Sequence, residues 1–176
     1  MLGTWTAWTT VRSPAPIDAI TIGPWQAWPN AGTAEVDPYS HARLARTGEI
    51  PLGSGEGLAL FAATDWAGRP LRRACDYLVA GQTPPARLWT MSVEQADGRV
   101  VDKGNGTHAI GSDGILRAPD GSFSVALSDE PQPGNWLSTE HTGQFRIVVR
   151  LYDTTVRTVT ALTTLSMPRI ERVSCT

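Results

Sequence analysis

A mainly β domain, an antiparallel two-layer β-sandwich with one short α-helix, is the architecture that this sequence predicts. Three observations carry the prediction. Short apolar runs with period-two alternation recur along the chain, the pattern of half-buried strands. Proline (13) and glycine (17) are spread between those runs, so turns are frequent. One segment carries the start and stop signals of a helix, with no series of alternating strand and helix units and no repeat. At 176 residues, 41% hydrophobic and 18% charged, the chain suits one globular domain able to fold without staples.

Residues 1–18 are expected to stand apart from a single sandwich domain over residues 19–176. The run from Met1 to Val11 has no charged side chain and sets Trp5 and Trp8 three apart. It reaches half of the about 20 apolar residues that a spanning helix needs, and Arg12 and Pro14 then end it. It also lacks the basic start and small-residue cleavage site of a signal peptide. Two readings stay open: a remnant of a membrane anchor with tryptophans at headgroup level, which is the expectation carried forward, or an unstructured start. Pro14 and Pro16 hold 12–18 extended as a linker.

Ala19 to Ile22 reads as a short strand leading into Pro24-Trp25-Gln26-Ala27-Trp28-Pro29. The helix follows over 37–47, with Asp37 as N-cap, Pro38 at the first helical position and Gly48 just past the end. His41, Leu44 and Ala45 share its expected inner face, and Arg43 and Arg46 face solvent. Gly57 to Thr64 is apolar on both faces, so it belongs inside a sheet. Asp65 to Pro70 is a turn, and Cys75 to Gln82 is a strand with Cys75, Tyr77 and Val79 on one face. Arg87 to Gln95 places Trp89, Met91 and Val93 together before the tight Ala96-Asp97-Gly98 hairpin signal.

Two shorter segments, Thr107 to Ile110 and Ile115 to Ala118, precede the Pro119-Asp120-Gly121 turn. Ser122 to Ser128 points Phe123, Val125 and Leu127 inward, and a polar loop runs from Asp129 to Gly134. The strongest alternation, Gln144 to Asp153, sets Phe145, Ile147, Val149 and Leu151 against Arg146, Val148, Arg150 and Tyr152. Ala161 to Cys175 ends the chain in extended form.

The stretches NWLSTEHTGQFRIVVRLYD (Asn135 to Asp153), PPARLWTMSVEQADG (Pro84 to Gly98) and PDGSFSVALS (Pro119 to Ser128) resemble the bacterial domain of unknown function 1214 family. IGPWQAWP and EIPLGSGEGLALFAATDWAGRPL look like its smaller, envelope-associated branch. The resemblance covers residues 20–175 and rests on the order and spacing of these stretches. It implies jelly-roll character, no settled activity and proteins that often follow a membrane segment, hence the cell envelope on the periplasmic side of the inner membrane. Larger relatives carry an additional domain ahead of this one, so a site built between two domains is not carried over. Ser138-Thr139 and Asp102-Lys103-Gly104 depart from the family pattern, where relatives tend to have proline and Asn-Pro. Both departures fall on expected loops, where function varies.

A net charge of −2 and a pI near 5.9 argue against nucleic acid, which needs clustered Lys and Arg. His41, His108 and His141 lie far apart, without metal-ligand spacing. Gly53-Ser54-Gly55-Glu56-Gly57 is no nucleophile elbow, because Leu52 takes the first glycine's place, and it reads as a lead-in to a strand. Cys75, on an apolar strand face, is inert as a nucleophile. With Cys175 it leaves two alternatives: one bridge in an exported chain, or two buried thiols. Glycoside hydrolysis needs two carboxyls about 5 to 9.5 Å apart. In-strand acids are scarce, Asp76 and Glu94 with Glu56 at a strand start, while Asp97, Asp120, Asp129 and Glu130 sit in turns. No catalytic residue, metal or cofactor is assigned.

What remains is a binding surface. Arg146, Arg150 and Tyr152 line one face of the strongest strand, and Asn135 and Trp136 lie in the loop before it. Such groups can stack on a sugar ring or grip an anion. Their ordinary use is different: the arginines pair with acids such as Asp76 or Glu94, and Trp136 plugs the sandwich edge. The expected function is a non-catalytic envelope module that binds a glycan or a protein partner, held near the membrane through its N-terminus. The alternatives are a carbohydrate-active sandwich hydrolase and a structural subunit of a membrane complex, the latter marked by an apolar patch near Trp5, Trp8 and Trp25.

Overall fold

A computed structural model describes residues 19–47, 49–53, 55–100, 106–140, 142–155 and 166–176, together with residues 3, 6, 8 and 9. The 12–18 linker, Trp5, Gly48, Ser54, Asp102-Lys103-Gly104, His141 and residues 161–165 lie outside the described residues. The described strands are β1 (Ile20–Ile22), β2 (Trp25–Ala27), β3 (Gly57–Ala62), β4 (Cys75–Gly81), β5 (Ala86–Gln95), β6 (Ala109–Gly111), β7 (Phe123–Ser128), β8 (Trp136–Ser138), β9 (Phe145–Thr154) and β10 (Arg169–Cys175). Helix α1 (Pro38–Thr47) lies between β2 and β3 in the chain.

The strands form two sheets, a six-stranded one ordered β1-β2-β3-β9-β5-β6 and a four-stranded one ordered β10-β4-β7-β8. One core joins them. Leu60, Met91, Ile147, Val149 and Leu151 come from the first sheet, and Tyr77, Val79, Val125, Leu127 and Ile170 from the second. Each such aliphatic side chain contributes about 1.5 to 3 kcal/mol by leaving water. Aromatic contacts bridge the layers: Tyr77 meets Phe145 edge-on at 5.8 Å, and Trp89 meets Phe123 at 5.1 Å.

Five expectations need correction. The pairing is antiparallel except at β8, which runs parallel to β7 with Ala126 opposite Trp136. The chain has only to step back by the length of a three-residue strand, and Gly134, at a positive φ of 84°, serves that reversal. Asn135 and Trp136 therefore do not share a loop, since Trp136 begins β8. Ile115 to Ala118 is not a strand either. The Asn135 side chain takes the place of a partner strand, accepting from the Leu116 amide (2.7 Å) and donating to the Leu116 carbonyl (2.8 Å).

The last two corrections concern α1 and β2. Asp37 caps the helix through the amides of Tyr39 and Ser40, but His41 and Ala45 face water while Ser40, Arg43 and Leu44 turn toward the protein. Arg43 stacks over the Trp28 ring at 4.9 Å, and that contact accounts for the helix's rotation. Trp25 begins β2 and is fully buried, with its indole N–H donating to the Pro168 carbonyl at 2.8 Å. It therefore adds nothing to an exposed tryptophan patch. No described helix is long and apolar enough to cross a membrane.

Cys75 and Cys175 face each other across β4 and β10 and are joined by a disulfide. The bridge spans a sequence separation of 100. Closing so long a loop removes about 4.7 kcal/mol of chain entropy from the unfolded state in the simplest account.

Candidate functional site

Strand β9 lies between β3 and β5, and its Phe145, Ile147, Val149 and Leu151 fill the core. Alternation then turns Arg146, Val148, Arg150 and Tyr152 to the outer face. The register places Glu94 of β5 opposite Arg146, Ser92 opposite Val148, and Ala59 and Phe61 of β3 opposite Arg150 and Val148. Tyr152 stands farther along, opposite Gly57 and Leu88.

Glu94 is the centre of this face. Its side chain is 1% exposed, and both of its oxygens are held by arginine. Arg146 donates from Nη2 (2.7 Å) and Nε (3.1 Å) to Oε2, and Arg150 donates from Nη2 to Oε1 at 2.7 Å. A second Arg150 nitrogen reaches Ser92 Oγ at 3.2 Å. Such charge-assisted bonds offset the desolvation of a buried carboxylate, which no single partner would do. The Arg146 guanidinium also stacks on Phe61 at 4.8 Å. Gly98, in the hairpin after β5, has a positive φ of 89°, and a Cβ there would meet Arg146 Nη2 at 2.8 Å. That turn needs glycine for both its backbone and its fit against the guanidinium.

A second layer covers part of the face. Glu49 lies 3.7 Å from Arg146 and 3.7 Å from Arg43, and Trp28 packs on Phe61 at 5.5 Å. The cluster links Arg43, Arg146 and Arg150 through the Glu49 and Glu94 carboxylates. Burial lowers the pKa of Arg43; Glu49 opposes this, and the charges of Arg146 and Arg46 add to it. Between α1 and the sheet lies a cavity of about 40 Å³, lined by Trp28, Ser40, Arg43, Glu49 and Arg150. Pro29, Leu44, Ile50 and Pro51 add apolar surface to its lining.

The structure thus divides the five residues of the predicted binding surface. Arg146, Arg150 and Tyr152 share the outer face of the six-stranded sheet. Trp136 begins β8 of the four-stranded sheet, and Asn135 directly precedes it. Asn135 spends its amide on Leu116 and on the Ser124 carbonyl, and the Trp136 indole N–H donates to the Ser128 carbonyl at 3.1 Å. Both have structural work. Glu94, one of the two acids named as partners for the arginines, does pair with them, whereas Asp76 lies on the other sheet and accepts from Ser174 Oγ at 2.8 Å.

Trp28, Ser40, Arg43 and Glu49 were not marked as site residues by the sequence. Ser40 and Arg43 are three apart on α1, a spacing that puts them on one face, and this was the available signal. Beside Asn135, a wider groove of about 680 Å³ crosses the four-stranded sheet, and no carboxylate lines it. Among the described residues no three or more of His, Cys, Asp and Glu gather as a metal would require.

Comparison with known proteins gives a family and a fold. The model for a family described as "Protein of unknown function (DUF1214)" matches residues 56–156, more than half of the chain. The crystal structure of the VPA0106 protein from Vibrio parahaemolyticus superposes with a TM-score of 0.61 at 19% identity, over 80% of this chain and 36% of that one. An uncharacterised protein from Burkholderia cenocepacia superposes with a TM-score of 0.51 at 23% identity, over 72% of this chain and 32% of that one. This chain therefore spans about a third of the length of either structure. No curated protein matches.

Proposed function

The chain belongs to the DUF1214 family, and we propose that it is a non-catalytic binding module of the bacterial envelope whose ligand engages the outer face of the six-stranded sheet. The observation that carries the reading is the cavity between α1 and β3/β9, lined by apolar side chains together with a few polar ones. Ligand sites commonly have that make-up. Arg150, 30% exposed while anchored on Glu94, is the guanidinium best placed to meet a ligand without leaving its partner. The disulfide supports an oxidising compartment, and with it the periplasmic placement near the membrane. The return of β9 between β3 and β5 supports jelly-roll character.

The hydrolase reading has less support. Its two in-strand acids, Asp76 and Glu94, stand on opposite sheets, and Glu94 is committed to two arginines. The partner class, glycan or protein, is tested by a thermal-shift panel of oligosaccharides and acidic peptides on the purified chain. A ligand of the folded state raises the melting temperature in a saturable way. We expect such a shift to be lost in Arg150→Gln and kept in Trp136→Ala. The reverse pattern would move the site to the four-stranded sheet, and product release from an oligosaccharide would overturn the non-catalytic reading.

A further inference from the structure

The open side of the sandwich carries a concavity of its own. The groove of about 680 Å³ on the four-stranded sheet is lined by Leu78 and Ala80, which face outward from β4, and by Ala126 of β7, Leu116 and Pro133. Its volume falls within the roughly 300 to 1,000 Å³ of small-molecule sites. Leu78 is 36% exposed and Leu116 is 66% exposed. One exposed leucine is ordinary, but two on the same concavity leave aliphatic surface that a bound group would take out of water.

One charged side chain lines the groove, and that is Arg117. Its guanidinium lies over the Trp89 ring at 5.7 Å and the Phe123 ring at 5.8 Å, and Nη1 donates to the Gly121 carbonyl at 3.1 Å. These contacts seat the group without neutralising it, and no carboxylate among the described residues pairs with it. Two acids of the same sheet and its turns are committed elsewhere. Asp120 accepts from the Ser122 amide (2.9 Å) and hydroxyl (2.6 Å), and Glu171 pairs with Arg169 at 3.3 Å. Nε and Nη2 of Arg117 thus donate to nothing among the described residues, and they form the edge that meets a two-oxygen anion side-on. A sugar would find little to bond there, because the Asn135 amide is already spent on Leu116 and on the Ser124 carbonyl.

We propose that this groove binds an aliphatic monocarboxylate, its chain against Leu78 and Leu116 and its carboxylate on the Nε–Nη2 edge of Arg117. The site is separate from the cavity under α1, and neither assignment depends on the other. The test is calorimetric titration of the full chain at low ionic strength with sodium octanoate, 1-octanol and octylammonium chloride. Octanoate should bind saturably and about fivefold more tightly than octanol, the upper end for an exposed ion pair. Octylammonium should bind no better than octanol. Arg117→Gln should erase the advantage of octanoate. Ser124→Phe, which puts a ring into the groove from an exposed strand position, should abolish binding of all three. Arg150→Gln should change none of them.

Equal affinity for octanoate and octylammonium would overturn the proposal, and so would the lack of any saturable octanoate binding. Both comparisons are made on the parent chain and stand even if a variant fails to fold. Octanoate binding that survives Arg117→Gln and Ser124→Phe but is lost in Arg150→Gln would place the ligand under α1. That result would overturn this assignment while strengthening the reading of the six-stranded face.

Discussion

Glu94 and Asp76 both point outward from a strand of the sandwich, yet one is buried beneath two arginines and the other shares a hydrogen bond with Ser174 near solvent. The difference is what covers each face. On the six-stranded sheet Trp28, Arg43 and Glu49 form a second layer, so charges there have lost water and must be matched within the protein. On the four-stranded sheet Leu78 remains exposed, as does Leu116 in the groove beside it, and the edge strand β10 is secured by the disulfide. One face is covered by a second layer of side chains, and the other carries a covalent staple beside the buried pair of Asp65 with Arg172. The cover also encloses a cavity between α1 and the sheet, and that makes the covered face the better candidate for a site.

The largest effect should come from breaking the covered face. Glu94→Gln leaves two guanidinium groups without their carboxylate and should cost about 3 to 5 kcal/mol, read from urea unfolding with the m-value unchanged. Reducing the Cys75–Cys175 bridge should cost about 2 to 5 kcal/mol. A loss well below this range would mean that β10 docks without its staple. Gly98→Ala should cost about 1 to 3 kcal/mol, through the positive φ and displacement of Arg146. The smallest effect belongs to the open side: Glu171→Gln removes one partner of the exposed Arg169–Glu171 pair and should stay within about 0.5 kcal/mol.

The strand edge offers a test by pH. Burial would raise the pKa of Asp65, but the Arg69 amide and guanidinium and the charge of Arg172 outweigh it and hold the carboxyl below its ordinary value of 3.8. A folded-state pKa below the unfolded one contributes stability that is complete above the unfolded value and lost as pH falls through the folded one. Melting temperature should therefore drop as pH falls below the ordinary carboxyl value of 3.8, and Asp65→Asn should flatten that slope.

Most of the fold was legible because its long strands declare themselves by alternation. The Gln144 to Asp153 run separates core from outer face over ten residues of β9, and Cys75 to Gln82 does the same for β4. Elements that take their conformation from a distant partner were not. β2 and β8 are three residues each, too short for a period to show. Ile115 to Ala118 has strand composition but pairs with a side-chain amide, a partner that no local pattern announces. The site divided in the same way. Arg146, Arg150 and Tyr152 shared a face by period alone, whereas Trp28, Ser40 and Glu49 join them only because α1 folds over the sheet.

The comparison of the two faces is tested most directly by a pair of double-mutant cycles on unfolding free energy. One cycle combines Glu94→Gln with Arg150→Gln, and the other combines Asp129→Asn with Arg73→Gln, an exposed pair 3.2 Å apart. The cover over one pair alone implies a coupling of about 1.5 kcal/mol or more for that pair and about 0.5 kcal/mol or less for the exposed one. Equal couplings would contradict it, since the covered face would then hold its charges no more tightly than open solvent does.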